Sequence, residues 1–95
     1  MPESKEYSWA WVTADRKLTG PECELVYAYC ASDGATTGKA ILYNGTNTSG
    51  DEIVQLESPA NNGKAFSPKE PVYCRKGLYV DYGTGAGVFV LWRNL

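Results

Sequence analysis

Gly77-Leu78-Tyr79-Val80-Asp81-Tyr82, Gly83-Thr84-Gly85-Ala86-Gly87 and Val88-Phe89-Val90-Leu91-Trp92-Arg93 follow one another near the end of the chain. Two runs rich in β-branched and aromatic residues flank a glycine-rich connection, the pattern of an antiparallel hairpin whose loop is longer than the tightest kind. A phosphate-cradling reading of these glycines would need a helix after them, its N-terminal amides facing the anion. A strand-forming run follows instead, so Gly83–Gly87 reads as a flexible hairpin tip.

Upstream the same theme repeats. Cys23-Glu24-Leu25-Val26-Tyr27-Ala28-Tyr29-Cys30-Ala31 sets Leu25, Tyr27 and Tyr29 against the smaller Val26, Ala28 and Cys30. Both sets are apolar, as a central strand covered on both faces requires. Lys39-Ala40-Ile41-Leu42-Tyr43 is a short strand broken by Asn44-Gly45-Thr46-Asn47-Thr48-Ser49-Gly50, after which Asp51–Glu57 turns back. Lys64–Ser67 and Val72–Cys74 are brief strands, with Pro68 and Pro71 barring a continuous ladder between them. Ala14–Gly20 is charged and ends in a Thr19-Gly20-Pro21 turn.

Turn signals recur about every 8–12 residues with no helical periodicity, which predicts an all-β, single-domain antiparallel β-sandwich or jelly-roll-like barrel of about seven or eight short strands. With 95 residues the chain holds one core. It divides into an N-terminal arm and first strand over 1–13 and the sandwich over 14–95, residues 1–6 reading as mobile.

Tyr7, Trp9 and Trp11 share one face if their segment is extended. This stripe reads either as core packing or as a docking arm that buries its tryptophans against another subunit. Alternation elsewhere predicts that most of the three tryptophans and seven tyrosines pack inward. Exposed, they would form a stacking platform for sugars.

A net charge of −2 and a pI near 5.0 give no electrostatic hold on a phosphate backbone, so nucleic acid is not an expected partner. No apolar run approaches a membrane span and the first residues carry no signal-peptide pattern, so synthesis in the cytoplasm and no membrane are expected. The absence of histidine removes the commonest catalytic base and metal ligand. Asp51, Glu52, Glu57 and Asp81 read as solvated strand edges rather than a glycosidase pair. We expect no enzyme activity, no cofactor and no metal. Cys23, Cys30 and Cys74 read as buried thiols; in a regular strand Cys23 and Cys30 point to opposite faces, and either of them faces Cys74 from another strand.

Ile41-Leu42-Tyr43-Asn44-Gly45-Thr46-Asn47-Thr48-Ser49-Gly50, then Gly77-Leu78-Tyr79-Val80 and a glycine-rich connection ending Val88-Phe89-Val90-Leu91-Trp92, resemble a group of small virion-associated β-proteins of tailed bacteriophages. The resemblance runs over roughly residues 18–93 and leaves out Trp9, Trp11 and the cysteines. It implies a structural role on the virus particle, as a capsid decoration or cement protein that binds the major capsid protein at the capsid surface. Such proteins often act as trimers, so a homo-oligomer is expected. The contact residues would be Tyr7, Trp9 and Trp11 on the arm, Asn44 and Asn47 at one loop tip, and Thr84 at another. The alternative is a carbohydrate- or receptor-binding module on a tail or head fibre.

Overall fold

The computed structural model of the chain describes residues 7–95; the stretch 1–6, expected to be a mobile arm, lies outside the described residues. Nine strands occur among them: β1 (Tyr7–Val12), β2 (Arg16–Thr19), β3 (Cys23–Ala31), β4 (Gly38–Asn44), β5 (Asp51–Ser58), β6 (Gly63–Phe66), β7 (Val72–Cys74), β8 (Leu78–Thr84) and β9 (Gly87–Asn94). They form two antiparallel sheets packed as a small β-sandwich. Sheet A is ordered β1-β9-β3-β6, with β7 also pairing β3; sheet B is ordered β2-β8-β4-β5.

The terminal hairpin expected from the sequence is not formed. β8 lies between β2 and β4 in sheet B, whereas β9 lies between β1 and β3 in sheet A. The glycine-rich connection is an arch from one sheet to the other. Both runs thereby become inner strands that hydrogen-bond along two edges, where a hairpin's outer edges would still need partners. Gly85 allows the arch, with φ +112° and a position where a Cβ would stand 2.6 Å from the Ala31 carbonyl oxygen. That oxygen accepts the Ala86 amide at 2.9 Å, docking the arch on the end of β3.

The core lies between the sheets. Sheet A contributes Ala10 and Val12 from β1, Cys23, Leu25, Ala28 and Cys30 from β3, Cys74 from β7, and Val88, Val90 and Trp92 from β9. Sheet B contributes Ala40 and Leu42 from β4, Leu56 from β5, and Leu78 and Val80 from β8. β1 is thus an integral strand that carries part of the core. The segment read as a charged turn also holds a strand, β2, whose Arg16 and Lys17 are exposed on a sheet edge.

β3 is central, as expected, but its alternation is interrupted. Leu25 pairs Trp92 and Tyr27 pairs Leu91, so Val26 is an extra residue with no partner on β9, a β-bulge. Odd-numbered residues face the core before the bulge and even-numbered ones after it. Cys23 and Cys30 therefore enter the same core, and the expectation that they point to opposite faces is overturned. Nor does a second layer cover β3's outer face, where Tyr27 and Tyr29 remain half-buried.

Without Val26 the strand reads Cys, Glu, Leu, Tyr, Ala, Tyr, Cys, a perfect inward–outward alternation. Deleting Val26 is therefore expected to leave the protein folded, at a cost below about 2 kcal/mol, where a deletion elsewhere in a strand flips every following side chain. Urea unfolding of the deletion variant checks this, and an unfolded product would show that the bulge is indispensable.

Candidate functional site

The two outer faces differ in chemistry, and strand register shows how. On sheet A three rows cross the strands. Tyr7 pairs Arg93, which pairs Glu24, which pairs Tyr73; Trp9 pairs Leu91, which pairs Tyr27; Trp11 pairs Phe89, which pairs Tyr29, which pairs Ala65. With strands about 4.8 Å apart and alternate residues about 6.7 Å apart, these rows cover roughly 14 by 14 Å measured between backbones. Trp9 is 67 % exposed, Tyr7 55 %, Tyr73 51 % and Trp11 46 %.

The rings are held by one another. Phe89 stacks on Trp9 with centroids 6.1 Å apart and lies tilted beside Tyr27 at 6.2 Å, so it ties the second and third rows. Trp11 lies over Gly87, where a Cβ would stand 2.5 Å from the indole, and Tyr29 lies over Gly63. Missing side chains on the neighbouring strands let both rings settle against the sheet. The Arg93 guanidinium bonds to Glu24 and sits 5.9 Å from the centre of the Tyr7 ring. The Tyr73 hydroxyl donates to Glu22, a bond that raises the phenol above its ordinary range. Arg93 and Glu24 thus neutralise each other within an otherwise aromatic and aliphatic face.

Sheet B presents the opposite surface. Lys39 pairs Glu57 across the strands, 3.6 Å between charged groups, and Lys17, Glu52 and Asp81 occupy the remaining rows beside Tyr43, Tyr79 and Ile41. A shallow hollow of about 150 Å³ is lined by Lys39, Ala40, Ile41, Gln55, Asp81 and Gly83. Burial, and then the nearby Asp15, push the Asp81 carboxyl above its usual range. Asp15 itself accepts the Tyr82 amide at 2.9 Å, and Glu57 is engaged with Lys39. Among the described residues no group of three or more potential metal ligands comes together.

The structure separates the contact residues expected from the sequence. Tyr7, Trp9 and Trp11 do share one exposed face. Asn44 lies at the end of β4 and Thr84 pairs Lys39 near its start, so the two loop tips occupy opposite ends of the sandwich. Their polar groups are already used. Asn44 accepts the Lys76 amide at 3.0 Å, Asn47 accepts the Ser49 amide at 2.8 Å, and the Thr84 hydroxyl donates to the Thr37 carbonyl at 2.6 Å.

The expectation that most aromatics pack inward is overturned, Trp92 being the one tryptophan in the core. The space between two packed sheets is about 10 Å deep. It is filled here by Leu, Val, Ala, Cys and one indole, with Phe66 and Tyr82 packed against its margin and most of the other rings left outside. Phe89, Leu91, Tyr27, Tyr29 and Tyr73 belong to the face and escaped the sequence reading. Their signal is the two-residue spacing of Phe89, Leu91 and Arg93, legible once the partner strands are known.

No family model, curated protein or solved structure matches this chain.

Proposed function

We propose that this protein is a non-enzymatic structural component of a tailed-phage virion, a decoration or cement protein that grips the major capsid protein shell through the outer face of sheet A. The observation that carries this reading is the exposed aromatic surface of three rows. The largest contiguous apolar patch of a domain is often its contact surface. Aromatic residues with a single compensated ion pair are the composition found at the centre of protein interfaces, where each buried ring is worth about 1.5–3 kcal/mol.

The strand order also supports it. β1 to β4 alternate between the sheets, as do β7 to β9, and orders 1-9-3-6 and 2-8-4-5 are compatible with a jelly-roll reading in which β6 and β7 together take the place of one strand, an architecture used for capsid proteins and lectins alike. The edges support the expected oligomer. β2 and β5 carry Arg16, Lys17, Asp51, Glu52 and Glu57, charges that discourage further pairing, whereas β1 has no charged residue and is unpaired on one edge among the described residues.

Glycan binding is the second reading, favoured by the same flat platform, since sugar rings stack on exposed indoles and phenols. One experiment separates the two. Purified protein is mixed with phage heads assembled from major capsid protein alone, sedimented, and imaged with a gold label. Saturable binding at symmetry-related capsid positions is the expected result. No binding to shells together with retention on a glycan surface would replace the first reading by the second.

A further inference from the structure

We propose that Cys23 and Cys74 form a cross-strand dithiol that oxidises to an intramolecular disulfide, stapling β7 onto β3. The geometry comes first. The two residues are direct register partners in the antiparallel β3–β7 pair, and both are fully buried. Directly opposed residues in such a pair have Cα atoms roughly 4.5–5.5 Å apart, inside the range a disulfide spans. The bulge at Val26 leaves Cys30 on the same core face but at the far end of β3, with Val88 and Lys64 as its register partners, so it cannot compete.

The chemistry is asymmetric in a useful way. Cys23 donates a hydrogen bond to the Cys74 sulfur, which raises the Cys23 thiol and lowers that of Cys74, against the effect of burial on the latter. Cys74 is therefore the partner that ionises first. Access comes from β7 itself, which is three residues long, follows Pro71 and pairs β3 alone. A strand this short opens locally far more readily than the sandwich unfolds.

The reaction needs a small-molecule disulfide as oxidant. The Cys74 thiolate attacks one sulfur of that molecule, its S–S bond breaks, and one thiolate leaves and takes up a proton. Cys23 then loses its proton to solvent and attacks the Cys74 sulfur of the mixed disulfide, expelling the second thiolate. Two protein thiols and one small disulfide become one protein disulfide and two small thiols. The bond would hold β7 in place and with it Tyr73, which closes the first aromatic row.

The test treats the intact protein with excess oxidised glutathione. One free thiol per chain is expected to remain, with a mass loss of about 2 Da, a peptide linking Cys23 to Cys74, and a melting midpoint higher by about 10 °C or more because the closed loop is long. The Cys30→Ala variant should form the same bond and keep no free thiol. Three remaining thiols, a persistent glutathione adduct, a bond that includes Cys30 or a bond between two chains would overturn the proposal. An unchanged or lower midpoint in the bonded form would overturn the staple.

Discussion

Replacing Trp9 and Trp11 together by alanine is expected to reduce binding to capsid shells by roughly 100- to 1000-fold while the protein stays folded. Each indole buried in a contact is worth about 1.5–3 kcal/mol, and aromatic anchors at an interface centre carry most of its energy. Both rings are already partly buried in the free protein, so removing the two costs about 3–4 kcal/mol rather than the full sum, which converts to that factor. The fold loses little, because Trp9 is 67 % exposed and the core contribution of β1 comes from Ala10 and Val12. Cosedimentation at varied protein concentration gives the affinity, and thermal unfolding should show a midpoint within about 8 °C of the parent. Tyr43→Ala, on the charged face of sheet B, is the control and should bind normally. Equal binding by the double variant would remove sheet A's outer face from the contact. Removing residues 1–12 is a poorer test, since it also removes two core residues.

The two-residue period was legible in the first strand, where it placed Tyr7, Trp9 and Trp11 on one face. Which face looks inward was not, because Ser8, Ala10 and Val12 are no more apolar than the aromatics they alternate with. Size contributes: small and branched residues fill most of the space between the sheets, Trp92 is the one large ring enclosed there, and the rings of β1 are left outside. Partner choice was equally hidden. β8 and β9 look like a hairpin because they are adjacent and alternate, but a sandwich lets each find two neighbours in its own sheet. The Val26 bulge escapes notice because Leu25, Val26, Tyr27 and Ala28 are all apolar, so no polar residue marks the change of parity. β2 was concealed by Arg16 and Lys17, which are compatible with a strand only because it is an edge.

The loop tips at Asn44–Gly50 and Gly83–Gly87 show how turn residues invite a functional reading that geometry reassigns. Asn44 joins the start of the Gly77 turn to β4, and Thr84 fastens the arch to the loop before β4. Their side chains shape the two ends of the molecule, while the adhesive chemistry lies along the strands between them. The centre of that surface, on the inner strands β3 and β9, is stiff, which limits the ordering cost of a contact.

Gly77→Ala is expected to destabilise the protein by about 3 kcal/mol or more, a large fraction of the roughly 5–15 kcal/mol that holds a domain folded. Gly77 is buried with φ +117°, a conformation that a side chain resists, and a Cβ there would stand 2.5 Å from the Thr19 carbonyl oxygen, 3.0 Å from that of Gly20 and 3.2 Å from that of Gly45. All three neighbours are backbone, so none can swing away. The position also joins three elements. The Gly77 carbonyl accepts the Gly45 amide at 3.2 Å while the Lys76 amide donates to Asn44, linking the entry of β8 to the β4–β5 turn, and Thr19 ends β2. Relieving the clash requires moving the edge strand, whose Leu18 packs against the core, the turn, or the start of an inner strand whose Leu78 and Val80 lie in the core. Gly20→Ala is the matched control, because the nearest atom to its Cβ is the flexible Lys17 Nζ at 3.9 Å. Its stability should change by less than about 1 kcal/mol. Chemical denaturation of the two variants side by side tests the argument, and a Gly77→Ala protein as stable as its control would mean that this end of the sandwich yields far more easily than its packing implies.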